Sequence, residues 1–255
     1  MQPTLRLTNG FDIPQMGFGT YGLRSATQAI LHALKTGYRH LDTADIYDTH
    51  ENVGEAIQKG GIPREEIYIT TKLWSHSVLR ERVAPSVDRF LSELQTQYID
   101  LLLIHWPGNT PAAETLAAMD EARKAGKVKS IGVSNFDAEL MQEVIDTGFP
   151  IVNNQIEYNL NHHPQDVLDF CNRHKVTVTA YSPLERGDRE QEHFLSQLVK
   201  EYSVTREEEV LLRWLMQKGM IVIPRSSNTS HIESNYHALE WELDKADVSK
   251  LDEAD

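Results

Sequence analysis

Cysteine, positive charge and long apolar runs are all scarce in this chain of 255 residues. Its one cysteine, Cys171, cannot form an internal disulfide, and no cation beside it would activate the thiol, so a buried, unreactive cysteine is expected. Lys and Arg number 25 against 38 Asp and Glu, which gives a net charge of −13. Such a charge repels nucleic-acid phosphates and anionic membrane surfaces, so neither is an expected partner.

The apolar segments are short. None approaches the roughly 18 residues that a membrane-spanning helix requires, and residues 1–6 lack the apolar core of a signal peptide. We therefore expect a soluble, cytoplasmic protein. No linker, low-complexity segment or repeat divides the chain, and its length suits a single domain over residues 1–255.

Short apolar runs alternate with helical patterns along the whole chain. Eight such runs, each a candidate strand, lie near Met16, His40, Tyr68, Leu101, Ser130, Ile151, Val176 and Ile221. Strict alternation of strand and helix predicts a parallel sheet, and eight units close most naturally into a (β/α)₈ TIM barrel. Ahead of them, Asn9-Gly10 between two apolar segments predicts a β-hairpin with a two-residue type I′ turn.

Several helix ends are marked in the sequence. Capping boxes are predicted at Ser25 with Gln28 and at Thr205 with Glu208, and Asp137 is expected to cap a helix over 138–146. Other signals are Pro164 at a helix start, glycines at helix ends (Gly37, Gly126 and Gly148), an extra helix at about Glu192 to Tyr202, and a strongly periodic one over Glu207 to Gln217.

Four polar side chains follow three consecutive predicted strands: Asp42 and Tyr47 after the second, Lys72 after the third and His105 after the fourth. The carboxyl ends of the strands form the active face of a TIM barrel, so these residues are expected to share one mouth. Singly, each has a structural explanation as a cap, a solvated amine or a packed ring. Together they form a chemical unit.

That unit suits proton donation. A phenol has a pKa of about 10, and lowering it by about three units needs roughly 4 kcal/mol, which a neighbouring ammonium in a semi-buried pocket can supply. Lys72 would supply the ammonium and Asp42 would keep it charged and aimed, while a neutral His105 would orient a substrate oxygen. Tyr47 is the predicted general acid.

Other patterns compete with this interpretation. Gly17-x-Gly19-x-x-Gly22, with Asp42 a further 20 residues on, matches a Rossmann dinucleotide motif. Against it, Pro14 and Gln15 interrupt the preceding strand, and the helix starts after the glycines.

Two further patterns are weaker. Tyr68-x-x-x-Lys72 has the spacing of short-chain dehydrogenases, but its residues are strand-like and would hold the pair about 13 Å apart. His162-His163, and His40 with Asp42, each lack a third ligand, so no metal is expected.

Three longer segments resemble the aldo-keto reductases. Residues 37–54 are similar to the family's first signature, 103–107 to its fourth-strand histidine segment and 223–226 to its phosphate motif. Within the family the chain is most similar to bacterial diketogluconate and methylglyoxal reductases. The resemblance implies a monomeric enzyme that reduces small aldehydes, ketoaldehydes and keto-sugars with NADPH, with Tyr47 as proton donor and Asp42, Tyr47, Lys72 and His105 as the catalytic set.

The resemblance also assigns binding residues. Those implied for the cofactor are Thr20, Asp42, Ser134, Asn135, Gln155, Tyr181, Ser182, Leu184, Arg225, Ser226, His231, Ser234 and Asn235. Those implied for the substrate are Tyr21, Tyr47, Trp74, His105 and Trp106. The residues themselves leave structural alternatives open: Tyr181 as a core aromatic, Gln155 as a surface amide and Ser134-Asn135 as a turn.

The chain departs from the family pattern in two respects. Arg225 replaces the usual Lys of the phosphate motif and His231 stands where an Arg is expected, so we predict that NADPH is preferred and NADH is usable. The mouth loops at 107–111 and 185–191 are short, and the sequence stops at Asp255 without the family's tail, which predicts broad selectivity. Alternative functions are a cofactor-bound sensor or regulatory subunit, and a metal-dependent barrel hydrolase.

Overall fold

A computed structural model describes residues 2–185 and 189–253. Its strands are β1 Thr4–Arg6, β2 Asp12–Pro14, β3 Gly17–Gly19, β4 His40–Asp42, β5 Tyr68–Leu73, β6 Ile99–Ile104, β7 Val128–Ser134, β8 Ile151–Glu157, β9 Thr177–Tyr181 and β10 Ile221–Val222. Its α-helices are α1 Ala26–Thr36, α2 His50–Gly60, α3 Arg80–Glu93, α4 Ala112–Lys124, α5 Ala138–Asp146, α6 Gln165–Arg173, α7 Arg189–Glu201, α8 Glu207–Gln217, α9 Thr229–His237 and α10 Lys245–Asp252.

Strands β3 to β10 form one parallel sheet in sequence order, as the alternating pattern predicted. The two edges of this sheet meet, because Met16 pairs with Val222, whose backbone N–H donates to the Gln15 carbonyl at 2.9 Å. Nearer the mouth, the Gly19 N–H donates to the Pro224 carbonyl at 3.0 Å. The predicted (β/α)₈ barrel is confirmed.

The N-terminal hairpin of β1 and β2 lies against the end of the barrel at which the strands begin. Its side chains Leu7 and Ile13 pack in a separate apolar cluster with five strand residues, most of them at or near strand starts, namely Tyr68, Leu101, Leu103, Val152 and Ile221. This leaves the opposite end, where the strands finish, for the site.

The predicted turn type of this hairpin is wrong. A type I′ turn needs positive φ at both central residues, but only Gly10 has it, at 90°. The loop is longer, since Arg6 pairs with Asp12 and the Leu7 N–H donates to the Phe11 carbonyl. Asn9 instead donates from its side chain to Ser130 Oγ at 2.9 Å, which ties the turn to the barrel.

The helix-end predictions have mixed outcomes. Asp137 accepts from the Leu140 N–H as predicted. Ser25 precedes α1 but adopts a left-handed backbone and makes no side-chain cap, so its capping box is wrong. The box at Thr205 is also wrong, because α8 starts after Arg206 and Thr205 donates its hydroxyl to Glu209, one residue beyond Glu208.

The remaining signals agree with the structure. Pro164 directly precedes α6, Gly37 follows α1, and Gly126 and Gly148 have positive φ just beyond α4 and α5. The extra helix is present as α7, and the strongly periodic one as α8.

The competing sequence patterns acquire structural explanations. Gly17–Gly19 is itself a strand, and α1 begins only at Ala26, so the glycines do not form a phosphate loop between a strand and a helix. A Cβ at position 19 would lie 2.9 Å from the Ile223 carbonyl oxygen, so the glycine permits close packing of β3 against the chain after β10. Tyr68 and Lys72 share strand β5, as expected.

Two expectations about composition can also be compared with the structure. Cys171 is fully buried, and burial raises the pKa of its thiol to about 11, which confirms the expectation of an unreactive cysteine. Among the described residues, no helix combines the length and apolar character that crossing a bilayer requires.

Candidate active site

A buried ion pair forms the base of the site. Lys72 is 0% exposed, and its Nζ donates to Asp42 Oδ1 at 2.5 Å and to the Thr43 carbonyl at 2.9 Å. The second Asp42 oxygen accepts from Gln155 Nε2 at 2.8 Å. Burial alone would lower the pKa of Lys72, but the Asp42 carboxylate reverses this, so the amine stays charged and fixed in place.

Tyr47 lies directly over this pair. It ends a short 3₁₀ turn, Asp45–Tyr47, between β4 and α2. Lys72 Nζ lies 4.9 Å from the centre of its ring, and its hydroxyl lies 3.4 Å from His105 Nε2. Tyr47, Lys72 and His105, which were predicted to form one chemical unit with Asp42, therefore lie next to one another.

The direction predicted for the pKa of Tyr47 is wrong. Burial raises this pKa by more than the nearby Lys72 ammonium lowers it, so the phenol remains protonated around neutral pH. The charge of the amine favours the phenolate, but the cost of desolvating a phenolate in this buried position is larger.

His105 is neutral, as predicted. Burial lowers the pKa of its imidazole to about 3, and the charge of Lys72 acts in the same direction. The ring is also held by an edge contact with Trp74, whose ring centre lies 5.0 Å away. A neutral imidazole beside the Tyr47 hydroxyl can hydrogen-bond to a substrate oxygen without placing a second positive charge close to Lys72.

Sequence reasoning missed the carboxylate that holds the Tyr47 turn. The side chain of Asp45 is 2% exposed and accepts from Ser77 Oγ and from Arg89, both at 2.6 Å. Burial would raise the pKa of Asp45, but these two donors lower it. The Ser77 N–H donates to the Trp74 carbonyl at 2.7 Å, so Asp45 joins the turn of Tyr47 to the loop of Trp74.

A cavity of about 720 Å³ opens over these side chains at the carboxyl ends of the strands. The predicted site residues that line it are Thr20, Tyr21, Asp42, Tyr47, Trp74, His105, Trp106, Ser134, Asn135, Gln155, Tyr181, Ser182, Leu184 and Arg225. Lys72 lies beneath the floor. Ile46 and Glu185 also line the cavity and were missed, although Ile46 is marked by its place beside Tyr47.

One wall of the cavity is a chain of hydrogen bonds. Tyr181 donates its hydroxyl to Asn135 Oδ1 at 2.8 Å, and Asn135 Nδ2 donates to the His105 carbonyl at 3.0 Å. Ser134 Oγ donates to the Gln155 carbonyl at 2.7 Å. Gln155 is buried, so the alternative of a surface amide is wrong, and the wall is fixed to the catalytic strands.

The far end of the cavity has a different character. Arg225 is exposed, and its guanidinium forms no ion pair or hydrogen bond with any described residue. Four predicted cofactor residues follow it without lining the cavity: Ser226 in the loop, and His231, Ser234 and Asn235 on α9. Ser234 donates to the buried carboxylate of Glu209 at 3.0 Å.

A sequence model of the Aldo/keto reductase family matches residues 15–255. This chain belongs to that family. It is therefore an NADP(H)-dependent oxidoreductase that acts on carbonyl groups, which confirms the resemblance seen in the three segments.

Two curated relatives show the range of similar sequences. The chain is 33% identical to glyoxal reductase of Bacillus subtilis, covering 99% of this chain and 92% of the relative. It is 35% identical to methylglyoxal reductase DkgB of Salmonella typhi, covering 94% and 92%.

Solved structures agree. An aldo/keto reductase from Brucella melitensis superposes with a TM-score of 0.94 at 35% identity over 100% of both chains. An aldo-keto reductase from Bombyx mori in complex with NADP superposes with a TM-score of 0.92 at 32% identity, covering 99% of this chain and 92% of that one.

Proposed function

We propose that this reductase converts small aldehydes, ketoaldehydes and keto-sugars to alcohols with NADPH, and that Tyr47 donates the proton. The observation that carries the proposal is the contact of the Tyr47 hydroxyl with His105 Nε2 at 3.4 Å, at the floor of an open cavity and above the Lys72–Asp42 pair. A proton donor and a neutral hydrogen-bonding group thus face the same space. A carbonyl oxygen placed there can accept a proton from Tyr47 and a hydrogen bond from His105.

Each catalytic residue then has a separate task. Tyr47 transfers its phenolic proton to the carbonyl oxygen while His105 orients that oxygen. The fixed charge of Lys72 lowers the cost of the phenolate that this transfer creates. Asp42 keeps the ammonium in place, and Gln155 holds Asp42. When bound, NADPH supplies the hydride.

The residues present fit this cofactor. The cavity extends from the polar amides of Asn135 and Gln155, past the ring of Tyr181, to the unpaired guanidinium of Arg225. Amides suit a carboxamide, an aromatic face suits a planar ring, and a free arginine suits a phosphate. We assign these three roles accordingly, and we place Ser182 and Leu184 along the cavity between the nicotinamide and the phosphate. Thr20 lies beside Asp42, because the Thr20 hydroxyl donates to the Asp42 carbonyl at 3.0 Å.

We propose broad selectivity for small substrates because the mouth is open. The apolar residues at the rim are substantially exposed: Tyr21 by 60%, Trp106 by 50% and Ile46 by 47%. An open pocket buries less of a ligand, so it binds each substrate weakly and discriminates little between different substrates. The names of the relatives, glyoxal and methylglyoxal reductase, agree with small dicarbonyl substrates.

We further propose that NADH is usable. Arg225 can grip a 2′-phosphate through two N–H groups, but His231 on the first turn of α9 is a weaker cation than an arginine. Steady-state constants for the two cofactors decide this. A preference for NADPH above about a thousandfold, equivalent to about 4 kcal/mol, would contradict it.

The experiment for the function is a screen of NADPH consumption over small carbonyls, including methylglyoxal, short aldehydes and keto-sugars. Turnover of several of them with weak binding is expected. Slow cofactor exchange with negligible turnover across the panel would instead favour a sensor. A sub-micromolar KM for one bulky substrate such as a steroid would contradict the proposed breadth.

A further inference from the structure

A second unpaired arginine lies beside the loop that carries Arg225. Arg24 belongs to the turn between β3 and α1, and its backbone N–H donates to Ser227 Oγ at 3.0 Å. Ser227 is the second residue after Arg225 and directly precedes Asn228, the N-cap of α9. Two segments about 200 residues apart in sequence are thus joined at this point.

The turn that carries Arg24 is fixed. Leu23 packs against the main core, while Gly22 and Ser25 both adopt left-handed backbone conformations on either side. Because the backbone N–H of Arg24 is also bonded to Ser227, the start of its side chain has a defined place beside the loop that carries Arg225.

The guanidinium of Arg24 has no partner within the described part of the chain. It is exposed and forms neither an ion pair nor a hydrogen bond there, in common with Arg225. This is notable in a protein with 38 acidic and 25 basic residues, where a carboxylate partner is easily found. The two unpaired guanidinium groups thus come from segments that the hydrogen bond between Arg24 and Ser227 holds together. A pair of guanidinium groups suits a phosphate dianion.

We propose that Arg24 is a specificity-determining residue that binds the 2′-phosphate of NADPH together with Arg225. The inference rests on the proposed function and adds to it a phosphate ligand from the segment between β3 and α1, which otherwise supplies Thr20 to the cofactor and Tyr21 to the substrate. It also explains how the chain keeps a preference for NADPH with a histidine at position 231. The Ser227 hydroxyl, which accepts from Arg24, keeps its own proton free to donate to the same phosphate.

The test is equilibrium binding without a carbonyl substrate, followed by protein fluorescence. Arg24→Gln is expected to raise the Kd for NADPH and for adenosine 2′,5′-bisphosphate by about 3- to 10-fold, the loss of one charge-assisted contact to phosphate. The Kd for NADH is expected to stay within about twofold. Ser227→Ala, which releases the Arg24 backbone, should give a smaller change in the same direction.

Arg82→Gln is the matched control. Arg82 is an exposed arginine of α3 whose guanidinium also has no partner among the described residues, and its loss changes the net charge equally. Unchanged NADPH binding in Arg24→Gln, or an equal loss for NADPH and NADH, would overturn the proposal, the second outcome indicating contact with the pyrophosphate. Failure of the unmodified protein to bind NADPH at all would instead overturn the proposed function.

Discussion

The two ends of the cavity are built in opposite ways. At the catalytic end every charge is paired within the protein: Lys72 is buried against Asp42, and Asp42 is held by Gln155. At the phosphate end, Arg24 and Arg225 are exposed and have no partner among the described residues. The charges at the catalytic end are therefore paired as soon as the protein folds, whereas those at the phosphate end are available to pair with a ligand.

The difference has an energetic reason. A buried ammonium must have its counter-charge in the protein, because leaving it unpaired costs several kcal/mol. An exposed guanidinium has no such cost, so it can remain free until a phosphate binds. Changes to the paired charges of the catalytic end should therefore affect both stability and turnover, and changes at the phosphate end only the affinity for the cofactor.

The largest effect is expected from Lys72→Met, which leaves Asp42 buried without its cation. We expect a loss of about 3 to 5 kcal/mol in the free energy of unfolding, measured with urea, and a severe loss of turnover. The double variant Asp42→Asn/Lys72→Met has no unpaired charge and should recover part of the stability without recovering turnover. A stability change below about 1 kcal/mol in the single variant would show that the pair is not as buried as described.

A smaller effect on both properties is expected from Asp45→Asn, because this carboxylate supports Tyr47 without touching the reacting atoms. Losing its charged acceptor role should cost about 1 to 3 kcal/mol of stability. We expect kcat to fall about tenfold, less than the 10²-fold that a displacement of 1 Å can cause. Asp48→Asn, on the other side of Tyr47 and exposed, is the control and should be nearly neutral.

The contribution of Asp45 should also depend on pH. Its pKa is lowered in the folded protein by Ser77 and Arg89, although burial opposes them. The stabilisation is therefore present above the ordinary aspartate pKa of about 3.9 and is lost as the pH falls through the lowered folded-state value. The free energies of unfolding of the unmodified protein and of Asp45→Asn, measured with urea, should differ at neutral pH and converge in acid. A constant difference would contradict this account.

The smallest effect is expected at the phosphate end from His231→Arg, which adds an exposed charge. We expect the Kd for NADPH to fall about 2- to 5-fold, as an exposed ion pair is worth roughly 0.2 to 1 kcal/mol. The Kd for NADH and the urea midpoint should not change. A loss of stability in this variant would show that the two ends are less separate than we describe.

The same contrast explains what could be predicted from the sequence. Asp42, Lys72 and His105 stand at strand ends, and the parallel barrel brings such ends together, so their meeting followed from the alternation of elements. The barrel itself followed from the same pattern.

Contacts made by side chains over long distances in sequence could not be predicted. Asp45 meets Arg89 from another helix, and Arg24 meets Ser227 across most of the chain. The predicted type of the hairpin turn was also wrong: Asn9 does not take the left-handed conformation that its dipeptide favours, and its side chain bonds to the distant Ser130.

The most direct test of the account removes one oxygen atom from the catalytic end. In Tyr47→Phe the ring still lies over Lys72, but the proton donor is lost. We predict that kcat falls by at least about 10²- to 10⁴-fold, as for other general acids, while the Kd for NADPH and the urea midpoint stay unchanged. Turnover retained within about tenfold of the unmodified protein would show that another group delivers the proton.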